Sequence, residues 1–199
     1  MEGSGAGEAG MEEKLGIRFA VESDVGSIAA VAKTTWKSTY EGLIPPEMQQ
    51  VFLDKYYAPD MLAREIRRGD AWFWVAERGD AVVGYAQVLM RGGGARAGTV
   101  TDVAGDAGGD TRGDTAELAR VYVLPQAQRV GVGGALVENA IRFLRKLGVS
   151  ALVVTAEQNN RSAVGFYAKL GFAPYEERIV TLGDQSVPVV DFRLPVSGT

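Results

Sequence analysis

Apolar residues recur along the chain in two rhythms, and their alternation predicts the order of elements. Gly16 to Val21 (GIRFAV) reads as a first strand. Ser23 or Asp24 then caps a helix whose apolar positions Val25, Ile28, Ala29, Ala32 and Trp36 fall at helical spacing, so it runs to about Tyr40. Pro45 and Pro46 open a second helix over Glu47 to Lys55, and Pro59 opens a third that ends at Gly69. Ala71–Ala76 and Ala81–Met90 are β-branched and aromatic runs around Glu77-Arg78-Gly79-Asp80, the pattern of a hairpin. Thr115–Leu124 is the next strand, Gly131–Leu147 a long amphipathic helix stopped by Gly148, and Ala151–Thr155 a short buried strand. Asn160–Leu170 forms a last helix closed by Gly171, before a hairpin of Phe172–Val180 and Pro188–Leu194 around Gly183-Asp184. The result is an α/β domain, a mixed sheet with helices on both faces.

One irregularity stands out in the strand before the long helix. Leu118 to Val121 is an odd step between apolar residues, whereas Val121 to Val123 is the usual even one. A β-bulge near Ala119 to Val121 reconciles them. Such a strand splays from its neighbour and frees main-chain groups for an extended, peptide-like ligand.

Two stretches have almost nothing to bury. Residues 1–14 are Gly, Ala and Glu for the most part and are expected to be a disordered tail, leaving 15–196 as one folded domain. Residues 91–114 hold eight glycines in 24 positions, the composition of a flexible insertion. It is either a substrate-side flap or a dispensable elaboration, and the length of so unpatterned a loop favours the second.

Composition narrows the chemistry. The 199 residues carry 21 Lys and Arg against 25 Asp and Glu, a net charge of −4, which argues against a nucleic-acid binder. With no Cys and no His, there can be no disulfide, thiolate nucleophile, Ser-His dyad or His- or Cys-ligated metal, and no metal is expected. Catalysis must use carboxylate, tyrosine, lysine or backbone groups. No apolar run reaches the roughly 18 residues of a membrane span, and no signal-peptide pattern opens the chain, so a cytoplasmic location is expected.

The most informative stretch runs from Val121 through Leu136, a strand that turns through a glycine-containing loop directly into a helix. A helix N-terminus leaves backbone N–H groups unpaired and partly positive, so this geometry offers a diphosphate a nest of donors. Side chains at Gly131 or Gly133 would hold phosphates away. The Rossmann fingerprint fails, because Leu136 stands where its third glycine belongs, and the P-loop's Gly-Lys-Ser/Thr is absent.

Together with the later Gln158–Phe172 segment, these residues resemble the GNAT superfamily of acetyl-CoA-dependent N-acetyltransferases. Gln128, Gly131 and Gly133 match its Gln/Arg-x-x-Gly-x-Gly/Ala loop. Asn160, Ala163, Tyr167, Gly171 and Phe172 match its Asn-x-x-Ala-x-x-x-Tyr-x-x-x-Gly-Phe segment. The resemblance implies a mostly antiparallel sheet of six to seven strands with a splayed central pair. It implies acetyl-CoA as acetyl donor, its pyrophosphate on the amides of Arg129, Val130, Gly131, Val132, Gly133 and Gly134, and its pantetheine arm along Val121, Tyr122 and Val123. Asn160 and Ala163 would complete the cofactor site, with Tyr167 beside the thioester sulfur. A homodimer is a reasonable expectation for such a protein.

Direct attack of a neutral amine on the acetyl carbonyl then requires a proton acceptor for the amine, and the departing thiolate takes a proton. Tyr167 is the candidate acid, and Glu117 the candidate base or amine-docking carboxylate, with Glu157 and Asp191 as competitors. Glu117 serves equally as a solvated strand-end charge, and Asn160 equally as a helix cap. Trp36 to Pro45 is similar to the Trp-x-x-Thr-Tyr-x-Gly-x-Ile-Pro entry of a bacterial GNAT group that includes PaiA-like polyamine acetyltransferases. Trp36, Tyr40 and Tyr85 are therefore candidates to line an acceptor pocket, although Trp36 and Tyr40 equally continue the apolar stripe of the first helix. The acceptor is a small primary amine, polyamine-like among others, or a protein amine; a non-catalytic acyl-CoA sensor is the alternative.

Overall fold

The computed structural model describes residues 14–42, 44–91, 114–182 and 185–196. The chain begins with β1 (Leu15–Phe19) and a 3-10 turn at Glu22–Asp24. It continues through α1 (Val25–Thr39), α2 (Pro46–Tyr56) and α3 (Pro59–Ile66) to the hairpin of β2 (Ala71–Arg78) and β3 (Ala81–Met90). Then come β4 (Thr115–Val123), a 3-10 turn at Pro125–Ala127, α4 (Val132–Lys146), β5 (Ala151–Glu157), α5 (Arg161–Lys169), β6 (Ala173–Leu182) and β7 (Gln185–Pro195). The expected insertion at 91–114 lies outside the described residues except at its ends, as do the tail up to residue 13 and the Gly183-Asp184 turn.

Among the described residues the strands form one sheet in the order β1-β2-β3-β4-β5-β7-β6. Every neighbouring pair is antiparallel except β4 with β5. The sheet is sandwiched. On one face α4 buries Leu136, Val137, Ala140 and Leu144, one side of a helix at 3.6 residues per turn, against Ala86, Val88, Leu118 and Leu152 of the sheet. On the other, Ile28, Val31, Ala32 and Trp36 of α1 pack with Phe52 and Leu62 on Phe73, Val75 and Tyr85.

Two backbone features shape the middle of this sheet. Gln87 pairs with Arg120 but Val88 pairs with Leu118, so Ala119 is an extra residue in β4. The bulge changes which face successive residues take: Leu118 and Val121 both join the α4 core, while Arg120 and Tyr122 turn toward α1. The odd apolar step in the sequence is this bulge. Secondly, β4 pairs with β5 only at Thr115, Ala116 and Glu117, although both strands run on. Beyond Glu117 they diverge and the sheet is open.

Candidate active site

The opening between β4 and β5 is a cleft of about 1110 Å³ that reaches both faces of the sheet. Its α4 side is lined by Val121, Val123, Gln128, Arg129, the turn from Gly131 to Gly134, Asn160, Ala163 and Tyr167. Its α1 side is lined by Thr35, Ser38, Thr39, Tyr40, Glu117, Arg120, Tyr122, Thr155 and Glu157.

Local chemistry builds the α4 side. Gly131 is the N-cap of α4 with φ +88, a left-handed conformation that a side chain strains, and Arg129 two residues earlier has φ +64. The first intrahelical bond is donated by Ala135 to the Gly131 carbonyl, so the amides that open α4 have no partner in the helix, and the residues that carry them, Val132, Gly133 and Gly134, line the cleft. The loop is braced by Gln128, whose Nε2 donates to the Val123 carbonyl at 2.9 Å. Gly133 has a different reason from the one expected. A Cβ there would lie 3.2 Å from the Phe166 ring, so the glycine lets α4 and α5 pack closely, while Gly131 is needed for its conformation. The side chain of Val130 is exposed, 56%, and is not on the cleft wall.

On β4 the ladder with β3 sets which main-chain groups are available. Leu124 donates to Val83, and antiparallel alternation then directs the groups of Tyr122 to β3 and those of Val121 and Val123 into the gap. Asn160 caps α5, its Oδ1 accepting from the Ala163 amide at 3.1 Å. Tyr167 packs its ring against Phe166, Phe172 and Phe192 and is 8% exposed. Burial pushes its phenol well above the ordinary range, with Tyr40 contributing in the same direction, so it is protonated at neutral pH.

The α1 side departs from expectation in two residues. Trp36 and Tyr85 do not line the cleft: Trp36 is 1% exposed and stacked on Phe52 at 4.3 Å, and Tyr85 is fully buried beneath α1. Both are core, because the stripe that α1 turns to the sheet is its apolar one. Tyr40 does line the cleft. The segment after Trp36 is held by Gln49, whose Nε2 donates to the carbonyls of Tyr40 and Ile44, which fixes the α1–α2 junction.

Three carboxylates named from sequence have separate surroundings. The Glu117 carboxylate lies 3.6 Å from the Arg91 guanidinium, and burial raises its pKa against that pull. Asp191 is held by Arg178 at 2.7 Å and by the Thr155 hydroxyl. Glu157 accepts at Oε1 from Asn159, and its Oε2 is shielded from solvent with no hydrogen-bond partner among the described residues.

Sequence reasoning missed Arg120, Arg161 and Lys169, all on the cleft wall. Arg161 follows the capping Asn160 directly, which was a usable signal. Arg120 stands inside an apolar strand and is buried with Glu65 of α3, 2.9 Å away, and over the Tyr57 ring at 4.6 Å. Its partner is 55 residues distant in sequence, so no local pattern reveals the pair.

This geometry has counterparts. A Thermoplasma acidophilum PaiA N-acetyltransferase in complex with coenzyme A superimposes with a TM-score of 0.69 at 22% identity, over 88% of this chain and 98% of that one. By sequence, the chain is 27% identical over 163 residues to an uncharacterised N-acetyltransferase of Lactobacillus delbrueckii subsp. lactis, 82% of this chain and 87% of the relative. It is 23% identical over 153 residues to the spermidine N(1)-acetyltransferase of Thermoplasma acidophilum, 75% of this chain and 82% of that protein. The acetyltransferase (GNAT) family pattern matches residues 32–172, from the second half of α1 through the open strand pair to the Gly-Phe exit of α5, and the chain belongs to that family.

Proposed function

We propose that the protein transfers the acetyl group of acetyl-CoA directly to a primary amine of a small molecule, with polyamine-like acceptors foremost and peptide amines as a further class. The observation that carries this reading is the gap through the sheet: unpaired amides on its α4 side and acidic and phenolic side chains on its α1 side. Donor and acceptor enter from opposite faces and meet between β4 and β5.

The residues present fit the donor. The amides from Arg129 to Gly134 suit a pyrophosphate, the main-chain groups of Val121 and the amide of Val123, which face the gap, suit the amide-bearing pantetheine arm, and Arg161 and Lys169 add positive charge to the same wall. Acetyl-CoA supplies an acetyl group already activated as a thioester. The protein aligns the amine with it, removes the amine's surplus proton to a carboxylate, and offers the Tyr167 hydroxyl to the leaving sulfur. The Tyr167 phenol is protonated at neutral pH and can donate to the sulfur as negative charge develops there. Glu117 and Glu157 face the same side of the sheet, separated by roughly 13 Å of strand, a spacing compatible with an acceptor carrying more than one ammonium group. The exposed edge strand β6, with Tyr175 and Ile179 uncovered, supports a homodimer.

The test is release of free CoA thiol on adding spermidine, spermine, simple alkyl amines, amino acids or short peptides to protein and acetyl-CoA. Amine-dependent release supports the reading. Tight acetyl-CoA binding with no release across the panel refutes it and favours an acyl-CoA sensor.

A further inference from the structure

The two carboxylates on the α1 wall are not equivalent. Glu117 sits where β4 and β5 still pair, opposite Val153, and faces Arg91; its electrostatic neighbours are Arg91, Asp191 and Arg178. Glu157 ends β5, four residues past Val153, where the strands have separated. Its Oε1 is fixed by the Asn159 amide at 2.9 Å and Nδ2 at 2.8 Å, which aims the group without neutralising it. Its Oε2 is buried and, among the described residues, has no hydrogen-bond partner. A charged oxygen shielded from water and left without a donor is costly, and a bound cation relieves that cost.

The surroundings of Glu157 are those of the reacting centre. Tyr40 is close enough to feel its charge, and burial first, then Tyr57 and Glu157, raise the Tyr40 phenol to about 12 against a hydrogen bond from Tyr122. The Tyr167 phenol in turn feels Tyr40. Glu157, Tyr40, Tyr122 and Tyr167 all line the same cleft. Glu117 instead faces the Arg91 guanidinium, 3.6 Å away.

We propose that Glu157, not Glu117, receives the acceptor amine's proton, the ammonium docking against its unpartnered Oε2 beside the Tyr40 and Tyr122 phenols. This rests on the acetyl-transfer reading above. The ammonium gives one proton to the Glu157 carboxylate, and the neutral amine's lone pair forms the C–N bond to the acetyl carbon. The C–S bond breaks with its electron pair on sulfur, the sulfur takes a proton from the Tyr167 hydroxyl, and the nitrogen's second surplus proton restores that hydroxyl. Glu157 returns its proton to water, so the sum is amide, CoA thiol and one proton from ammonium and acetyl-CoA.

Glu157→Gln keeps the Oε1 acceptor for Asn159 but removes the charge. The expected result is a loss of about 10²-fold in kcat/KM for the best alkyl amine, with acetyl-CoA affinity unchanged, which also reports correct folding. The defect should fall below about tenfold with methoxyamine, an amine that is neutral at pH 7, because it needs no deprotonation before attack. Glu157→Asp should recover part of the activity, because it keeps a carboxylate at this position. An unaffected Glu157→Gln, or a defect equal for both amines, overturns the assignment while leaving acetyl transfer intact. A parent protein inert toward every amine overturns the acetyl-transfer reading itself and this assignment with it.

Discussion

The buried ion pair behind the cleft yields the largest stability effect that the fold predicts. The Arg120 side chain is 1% exposed and that of Glu65 is 7% exposed; they meet at 2.9 Å, with Gln87 Nε2 also donating to the same Glu65 oxygen at 3.4 Å. Nη1 of Arg120 makes this bond, and among the described residues its Nε and Nη2 have no hydrogen-bond partner, so Glu65 is the carboxylate that compensates its charge. Replacing Glu65 with Ala strands a guanidinium in the interior, a change that costs about 3–5 kcal/mol. Against a net stability of roughly 5–15 kcal/mol that is a large fraction, and at about 2–4 °C per kcal/mol for a chain of this size Tm should fall by roughly 6–20 °C. Urea titration and thermal melts followed by circular dichroism measure both quantities. Glu65→Leu combined with Arg120→Met should restore most of the loss, since two apolar side chains leave no charge to compensate. A Glu65→Ala penalty below about 1 kcal/mol, the range of an exposed pair, would refute the placement of this pair in the core.

Other consequences are as direct. Tyr167→Phe should lower kcat by about 10²-fold while calorimetry shows an unchanged acetyl-CoA Kd, because only the proton donor is lost. Gly131→Ala and Gly133→Ala should each weaken acetyl-CoA binding and cost about 1–2 kcal/mol on denaturation, the first through its φ of +88 and the second through the Phe166 ring 3.2 Å from the new Cβ. Near the amino end, Arg18 hydrogen-bonds hold the Asp24 carboxyl below the ordinary aspartate range, so the folded state binds its proton less readily than the unfolded one. That contribution is fully present above about pH 4 and lost as pH falls through the depressed value. Asp24→Asn should cost about 1 kcal/mol at pH 7, with the gap to the parent protein closing in acid melts, since Arg18 is partly exposed.

Local signals carried much of this account. Helices and strands came through as periodicity and turn chemistry, and even the bulge at Ala119 was readable as an odd step between Leu118 and Val121. The helix-opening turn was legible because Gly131 and the absent side chain at Gly133 both leave a mark in one dimension, although the reason for Gly133 is packing on Phe166. What escaped was tertiary. An aromatic at helical spacing does not say whether its face meets a cleft or a core, so Trp36 and Tyr85 read as pocket walls and are interior. Arg120 pairs across 55 residues with Glu65, and the choice among Glu117, Glu157 and Asp191 depends on neighbours from β5, β6 and β7 that no spacing encodes. The resemblance to GNAT enzymes pointed to the strand pair that opens into the cleft; the surroundings that distinguish its carboxylates became visible only in three dimensions.

The account depends most on how the open strand pair receives its donor, and a crystal structure of the complex with coenzyme A measures that directly. It should place the pyrophosphate within hydrogen-bond reach of the main-chain amides between Arg129 and Gly134, the pantetheine arm along β4 at Val121 and Val123, and the sulfur next to the Tyr167 hydroxyl. A pyrophosphate bound away from the start of α4, or a sulfur screened from Tyr167, would contradict it.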